Sequence, residues 1–152
     1  QDRVWIASPY FVPDIAVMGA LKHAVMRGVD VRILVPDKAD HLISWLAAFA
    51  YFDEIMNEVN RVFSYTAGFM HQKVFVIDDH LAGVGTTNLD NRSFRLNFEA
   101  MALFFDQRAA KDVAAMLRDD FENSYEMSLT IDQQPVHIRF GAPVARLFSP
   151  LL

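Results

Sequence analysis

Apolar and polar positions along the chain alternate between short apolar runs and longer amphipathic stretches. The runs "RVWIAS" at residues 3–8 and "VDVRILV" at residues 29–35 read as strands, with a helix between them from about Asp14 to Met26. Pro13 and Asp14 suit the start of that helix, and Arg27-Gly28 suits its end. A strand–helix–strand unit of this length implies parallel strands joined by a right-handed crossover. Asp37 or Asp40 is placed to cap a second helix running to about Val59, whose large apolar side chains should lie on the sheet.

Further along, "RVFSY" at residues 61–65 reads as a short strand. "KVFVID" and "LAGVG" flank Asp79-His80 as the two arms of a tight hairpin, and "FEAMALFF" reads as another strand. Asp106 should cap an amphipathic helix to about Met127, with Val113, Met116, Leu117 and Phe121 on one face. The tail "QQPVHIRFGAPVARLFSPLL" holds three prolines and a glycine, so it is expected to be irregular with a short helix or strand. The order of elements predicts an α/β fold: a mixed, largely parallel sheet of six or seven strands flanked by helices on both faces.

Composition supports one globular unit, because 152 residues at 53% hydrophobic and 22% charged can bury a sizeable core. The net charge of −5 supplies no general attraction to nucleic acid, although a local basic cluster could still hold a phosphate. The absence of cysteine removes disulfides, thiol nucleophiles and zinc–cysteine sites together. Gln1-Asp2-Arg3 leads straight into an apolar strand with no leader, so the chain is expected to start inside a longer protein. The apolar stretch Leu42–Phe52 is about half the roughly 20 residues of a membrane span. It is either a core helix or a surface lying at a membrane interface.

The stretch "HQKVFVIDDHLAGVGTTNLDNRSF", residues 71–94, carries polar groups that a strand does not need. A period of two puts His71 and Lys73 on one face of a strand and Gln72 and Val74 on the other. Gly85, Thr86 and Asn88 follow the hairpin's second arm, so their amides and the Asn88 side chain can reach the same end of the sheet. An imidazole, an ammonium and an amide donor together suit attack on a phosphoryl group, with His71 as nucleophile and Lys73 and Asn88 holding the non-bridging oxygens. Asp78 has the opposite parity to His71 and sits at the hairpin's mouth, which favours a structural role. The alternative for His71 and Lys73 is an exposed polar strand end.

The spacing His71-x-Lys73-x4-Asp78-x6-Gly85-Thr86-x-Asn88 resembles the HKD signature of the phospholipase D superfamily, with threonine where serine is commoner. "NLDNRSFRLNFE", "SPYFVP" and the terminal "RLFSPLL" resemble the bacterial cardiolipin synthases, so the similarity spans the whole chain. This resemblance implies a phospholipase D-like fold and a two-step phosphatidyl transfer that uses no metal or other cofactor. A phosphohistidine forms, and a histidine from a second HKD motif protonates the leaving alcohol. It further implies an acidic residue that orients the nucleophile; Glu99, 28 positions after His71, is the match, with a surface role on an edge strand as its alternative.

Only one motif is present, because His137 before Ile138-Arg139 lacks the downstream aspartate and Gly-x-x-Asn. The resemblance therefore implies that residues 1–152 are one catalytic domain, the C-terminal half of a two-motif enzyme. Its expected partners are phosphatidylglycerol, the other HKD half or a second copy, and a membrane surface on the cytoplasmic side. A single-motif, homodimeric phosphodiesterase acting on nucleic acid and a non-catalytic half-domain are the alternatives; the acidic balance argues against the first. Arg92 and Arg95 either bind a lipid phosphate or pair with Asp90 and Glu99. Tyr10 and Phe11 follow the first strand, where a parallel sheet tends to place its ligand crevice, and either touch substrate or pack in the core.

Overall fold

The computed structural model describes residues 2–38, 40–55, 61–127 and 130–152. The first part of the chain runs β1 (Arg3–Ala7), β2 (Phe11–Val12), α1 (Ile15–Met26), β3 (Asp30–Pro36), α2 (Leu42–Ile55), β4 (Arg61–Tyr65), β5 (Val74–Ile77) and β6 (Leu81–Gly85). It continues with β7 (Leu89–Asp90), α3 (Asn91–Arg95), β8 (Met101–Phe104), α4 (Gln107–Glu122), β9 (Ser124–Glu126) and α5 (Val136–Arg146). Seven strands form one sheet in the order β8-β6-β5-β1-β3-β4-β9, and β2 pairs with β7 apart from it.

The sheet is mixed, but it is not largely parallel. Only β1–β3 and β3–β4 are parallel joins, while β1–β5, β5–β6, β6–β8 and β4–β9 are antiparallel. The reason lies in the connections. Helical crossovers join β1 to β3 and β3 to β4, whereas β5 and β6 share a tight hairpin that can only reverse the chain.

Alternation along β1 divides the core. Val4 and Ile6 face the layer built by α1, α2 and α5 with Val31, Ile33 and Val35 of β3. Trp5 and Ala7 face α4, whose Ala110, Ala114, Leu117 and Phe121 recur at helical spacing and are all buried. Helices thus cover both faces of the sheet. α2 buries Ala47–Phe52 and Ile55, so most of the Leu42–Phe52 stretch is core. No helix among the described residues is long and apolar enough to cross a membrane.

Asp14 caps α1 by accepting from the Val17 amide at 2.9 Å, and Gly28 takes the left-handed conformation past its end (φ 77°). Three boundaries differ from the sequence reading. α2 begins at Leu42, beyond Asp37 and Asp40, whose carboxylates instead accept from Ser64, Tyr125 and Tyr10 hydroxyls. The last residues expected of α2, to Val59, lie outside the described residues. α4 stops at Glu122 because Asn123 folds back, its side chain donating to the Asp119 carbonyl at 2.8 Å, and the next residues pair with β4 as β9. The tail is mostly helical rather than irregular. α5 holds Pro143 within it and buries Ile138, Ala142 and Ala145, while Gly141 lets it approach Leu46 of α2.

Asp78 fastens the hairpin to the start of β1. It has a left-handed backbone (φ 51°), and one carboxylate oxygen accepts from the amides of Asp2 at 2.7 Å and Arg3 at 2.9 Å. The Arg3 guanidinium returns a bond to the Asp78 carbonyl at 2.9 Å and pairs with Asp79. Burial pushes the Asp78 carboxyl upward, but the two backbone donors outweigh it and hold it below the ordinary aspartate range.

Candidate active site

Strand register gathers the polar residues of the 71–94 stretch at one end of the sheet. Ala7, the last residue of β1, lies opposite Val74, so Lys73 lies level with Ser8. The Gly85 amide donates to the Lys73 carbonyl at 3.1 Å, and Gly85 faces Met101 across β6–β8. Thr86 continues the ladder, its amide donating to the Ala100 carbonyl at 2.9 Å and its hydroxyl accepting from the Ala100 amide at 3.0 Å. Ser8, Lys73, Gly85-Thr86 and Ala100 therefore form a row where the parallel strands β1, β3 and β4 end, the usual position of a ligand crevice.

Gly85 is required by proximity. A Cβ there would collide with the Ala100 carbonyl oxygen and the Met101 thioether.

His71 and Lys73 sit just ahead of β5 rather than within it. The Lys73 ammonium donates to the His71 carbonyl at 2.9 Å, which holds the two residues together. The His71 ring is exposed, lies parallel to Phe69 at 5.6 Å between centroids, and borders a hollow of about 220 Å³ with Tyr65, Met70, Gln72 and Asp120. Gln72 points to the α4 side and donates to Asp120 at 2.6 Å, as its opposite parity to Lys73 requires.

Lys73 sits among carboxylates. Burial depresses its ammonium below the ordinary lysine value, and the fields of Glu99, Asp40 and Asp90 partly restore it. Glu99 accepts from the Asn97 side chain at 3.2 Å; among the described residues no hydrogen bond joins it to His71. The Asn88 carboxamide oxygen is shut away from solvent and has no partner among the described residues.

Two loops wall the row. Ser8, almost fully buried, donates to the Tyr10 carbonyl at 2.7 Å and accepts from the Leu89 amide at 2.9 Å. The short β2–β7 pair extends this stitch and joins the segment bearing Tyr10 to the segment bearing Asn88. The Tyr10 hydroxyl donates to Asp40 at 2.6 Å, and burial together with that carboxylate raises its phenol above the usual value. Asp90 is buried and caps α3 by accepting from the Ser93 amide at 2.6 Å.

Phe11 is fully buried and stacked on Phe52 at 5.3 Å, so it packs in the core rather than meeting substrate. Among the described residues the arginines pair with neither Asp90 nor Glu99. Arg92 donates to Asn97 at 3.4 Å, and Arg95 to Asp14 at 3.4 Å.

The sequence reading offers Asp40 as a helix cap and Asp90 as an arginine partner, and it gives none of Ser8, Asp40 and Asp90 a place beside Lys73. Asp90, three residues before Ser93 at the start of a helix, carries a capping signal that could have marked it; Ser8 and Asp40 depend on tertiary placement.

Residues 1–137 match the family described as cardiolipin synthase, phospholipase D-like domain. Cardiolipin synthase A of Pseudomonas fluorescens (strain SBW25) is 49% identical over 152 residues, covering 99% of this chain and 32% of the relative. Cardiolipin synthase A of Pseudomonas aeruginosa (strain UCBPP-PA14) is 50% identical over 154 residues, covering 100% and 31%. The chain thus spans about a third of the length of these curated relatives. Among solved structures, the phospholipase D family member Nuc from Salmonella typhimurium superposes with a TM-score of 0.71 at 19% identity, covering 83% of this chain and 82% of that one. Phosphatidylserine synthase of Haemophilus influenzae Rd KW20 gives 0.72 at 17% identity, covering 100% and 42%. At these identities the likeness is one of fold.

Proposed function

We propose, since this chain belongs to the family of cardiolipin synthase phospholipase D-like domains, that it is the C-terminal catalytic half of an enzyme joining two phosphatidylglycerol molecules into cardiolipin. The observation that carries the reading is the row at the sheet end: the Lys73 ammonium donates to the carbonyl of His71, whose ring is exposed, and the Lys73 carbonyl accepts from the Gly85 amide beside Thr86.

In this reading a ring nitrogen of His71 attacks the phosphorus of phosphatidylglycerol. The phosphorus–oxygen bond to the terminal glycerol breaks, and that glycerol leaves with a proton from an acid outside this chain. The hydroxyl of a second phosphatidylglycerol then attacks the phosphohistidine, gives up its proton and breaks the phosphorus–nitrogen bond. Two phosphatidylglycerols yield one cardiolipin and one glycerol.

Lys73 neutralises charge on the non-bridging oxygens, and its partial burial strengthens that interaction. Asn88 orients the same oxygens. Glu99 keeps Lys73 charged through its field and becomes the orienting carboxylate for His71 once substrate displaces the Asn97 contact. Asp78 takes no chemical part and holds the hairpin in register. The leaving-group acid comes from a second HKD half or a second copy, on the cytoplasmic side of the membrane that supplies the lipid.

The test is lipid mass spectrometry on phosphatidylglycerol vesicles incubated with the complete protein. Cardiolipin and glycerol should form in equal amounts, and His71→Ala should abolish both. Undiminished product from His71→Ala would overturn the assignment of the nucleophile.

A further inference from the structure

Of the two readings of Leu42–Phe52, a core helix or a membrane-interface surface, the structure shows a helix that is largely core. A continuous apolar stripe is left open on α5. Ile138, Ala142 and Ala145 face inward, and the opposite side presents Val136, Phe140, Val144 and Leu147, which are 72, 67, 57 and 79% exposed. Leu151, 69% exposed, extends this stripe beyond the helix.

Charge segregates with it. Residues 133–152 contain Arg139 and Arg146 and no aspartate or glutamate, in a chain of net charge −5. Arg139 lies at 6.0 Å from the Phe140 ring and makes a loose pair at 3.6 Å with Asp132, which is itself largely exposed. Arg146 lies over the Tyr51 ring at 4.6 Å, shares Glu54 with Lys22, and lines a cleft of about 640 Å³ with Ile15, Arg95 and Leu147. Ile15, 93% exposed, carries the apolar surface across that cleft. The Arg92 amide donates to the Leu152 carbonyl at 2.8 Å, which ties the end of the stripe to α3, between Asn88 and Glu99.

We propose that the outer face of α5, together with Leu151 and Ile15, rests on an anionic lipid surface and brings the His71 end of the sheet to it. An exposed helix ridge with apolar side chains along its crest and Arg139 on its flank matches the two layers of a bilayer interface. The apolar side chains enter the acyl boundary while the Arg139 head remains among the phosphates. A protein partner would instead need a broad complementary patch of about 800 Å² on each side. The choice of phospholipid as occupant rests on the functional reading above.

The test is co-sedimentation of the 152-residue chain with vesicles of equal phosphatidylglycerol and phosphatidylcholine, compared with phosphatidylcholine alone. Binding should require the anionic lipid and weaken with salt. Phe140→Ser with Leu147→Ser should lower it by about tenfold or more, and Arg139→Gln by about fivefold. Leu103→Ser with Phe105→Ser, exposed at the far sheet edge, should change it less than about twofold. Circular dichroism checks that each variant folds, and Phe140→Trp supplies an independent reading, since its emission should shift to the blue on vesicles.

His71→Ala should bind like the unaltered chain, so the inference survives even if no cardiolipin is ever formed. It is overturned if the α5 changes leave vesicle binding unaltered, if no binding occurs, or if those changes dissolve a dimer instead, which would make the face a protein interface.

Discussion

Asp78 belongs to the motif but contacts the start of β1 rather than the site, and its replacement separates architecture from chemistry. Asp78→Ala removes the acceptor of two backbone amides at 2.7 and 2.9 Å and places alanine at φ 51°. Two part-exposed, charge-assisted bonds contribute about 1–1.5 kcal/mol each, and the left-handed backbone costs alanine about 1 kcal/mol, so the loss should be about 3–4 kcal/mol. Urea unfolding would register this as a midpoint lowered by about 1–2 M. Asp78→Asn tolerates the same backbone and retains one acceptor oxygen, so it should lose only about 1 kcal/mol. The pH dependence has a definite sign. The carboxyl is depressed in the folded state, so its contribution is complete above the unfolded value of about 3.9 and disappears as pH falls through the lower folded value. The gap between the unaltered protein and Asp78→Asn should therefore close below about pH 4. An Asp78→Ala protein within about 0.5 kcal/mol of the original, or a gap that widens on acidification, would refute the latch.

Two further changes probe the frame around the site. Gly85→Ala should cost about 1–3 kcal/mol in chemical unfolding, because its Cβ has to displace the Ala100 carbonyl or the Met101 side chain; it should also loosen the Gly85–Lys73 bond, visible as faster amide exchange at Gly85. Leu117→Ala should lower stability by about 2–5 kcal/mol, since Leu117 is fully buried between α4 and the sheet, and an unfolding midpoint that does not move would show that α4 is not packed as described.

Elements whose signals are local were legible in the sequence. Asp14 and Gly28 bound α1 because a capping carboxylate and a left-handed glycine act within a few residues of themselves. The β5–β6 hairpin follows from two apolar runs around Asp79-His80 for the same reason. α5 was hidden because Gly141 and Pro143 signal a break, while the compensating burial against α2 is contributed by residues nearly a hundred positions earlier, such as Leu46. The pairing of β9 with β4 was hidden likewise, since Ser124–Glu126 is too short to reveal a period and is held by a partner sixty residues away.

The site divides along the same line. His71, Lys73 and Asn88 are proposed for the site on their spacing, but the electrostatic setting of Lys73 could not be read that way, because Asp40, Asp90 and Glu99 come from three separate segments. Register is what brings them together. Ala7 opposite Val74 places Lys73 on the face shared with Glu99 and leaves Gln72 turned to Asp120 and α4. A slip of one residue between β1 and β5 would exchange these faces, setting an amide among three carboxylates and the ammonium against the buried side of α4. The Asp78 bonds to Asp2 and Arg3 oppose that slip at the other end of the same strand pair. In the proposed reading the motif's aspartate would serve the chemistry through the register it holds, from the far end of the sheet.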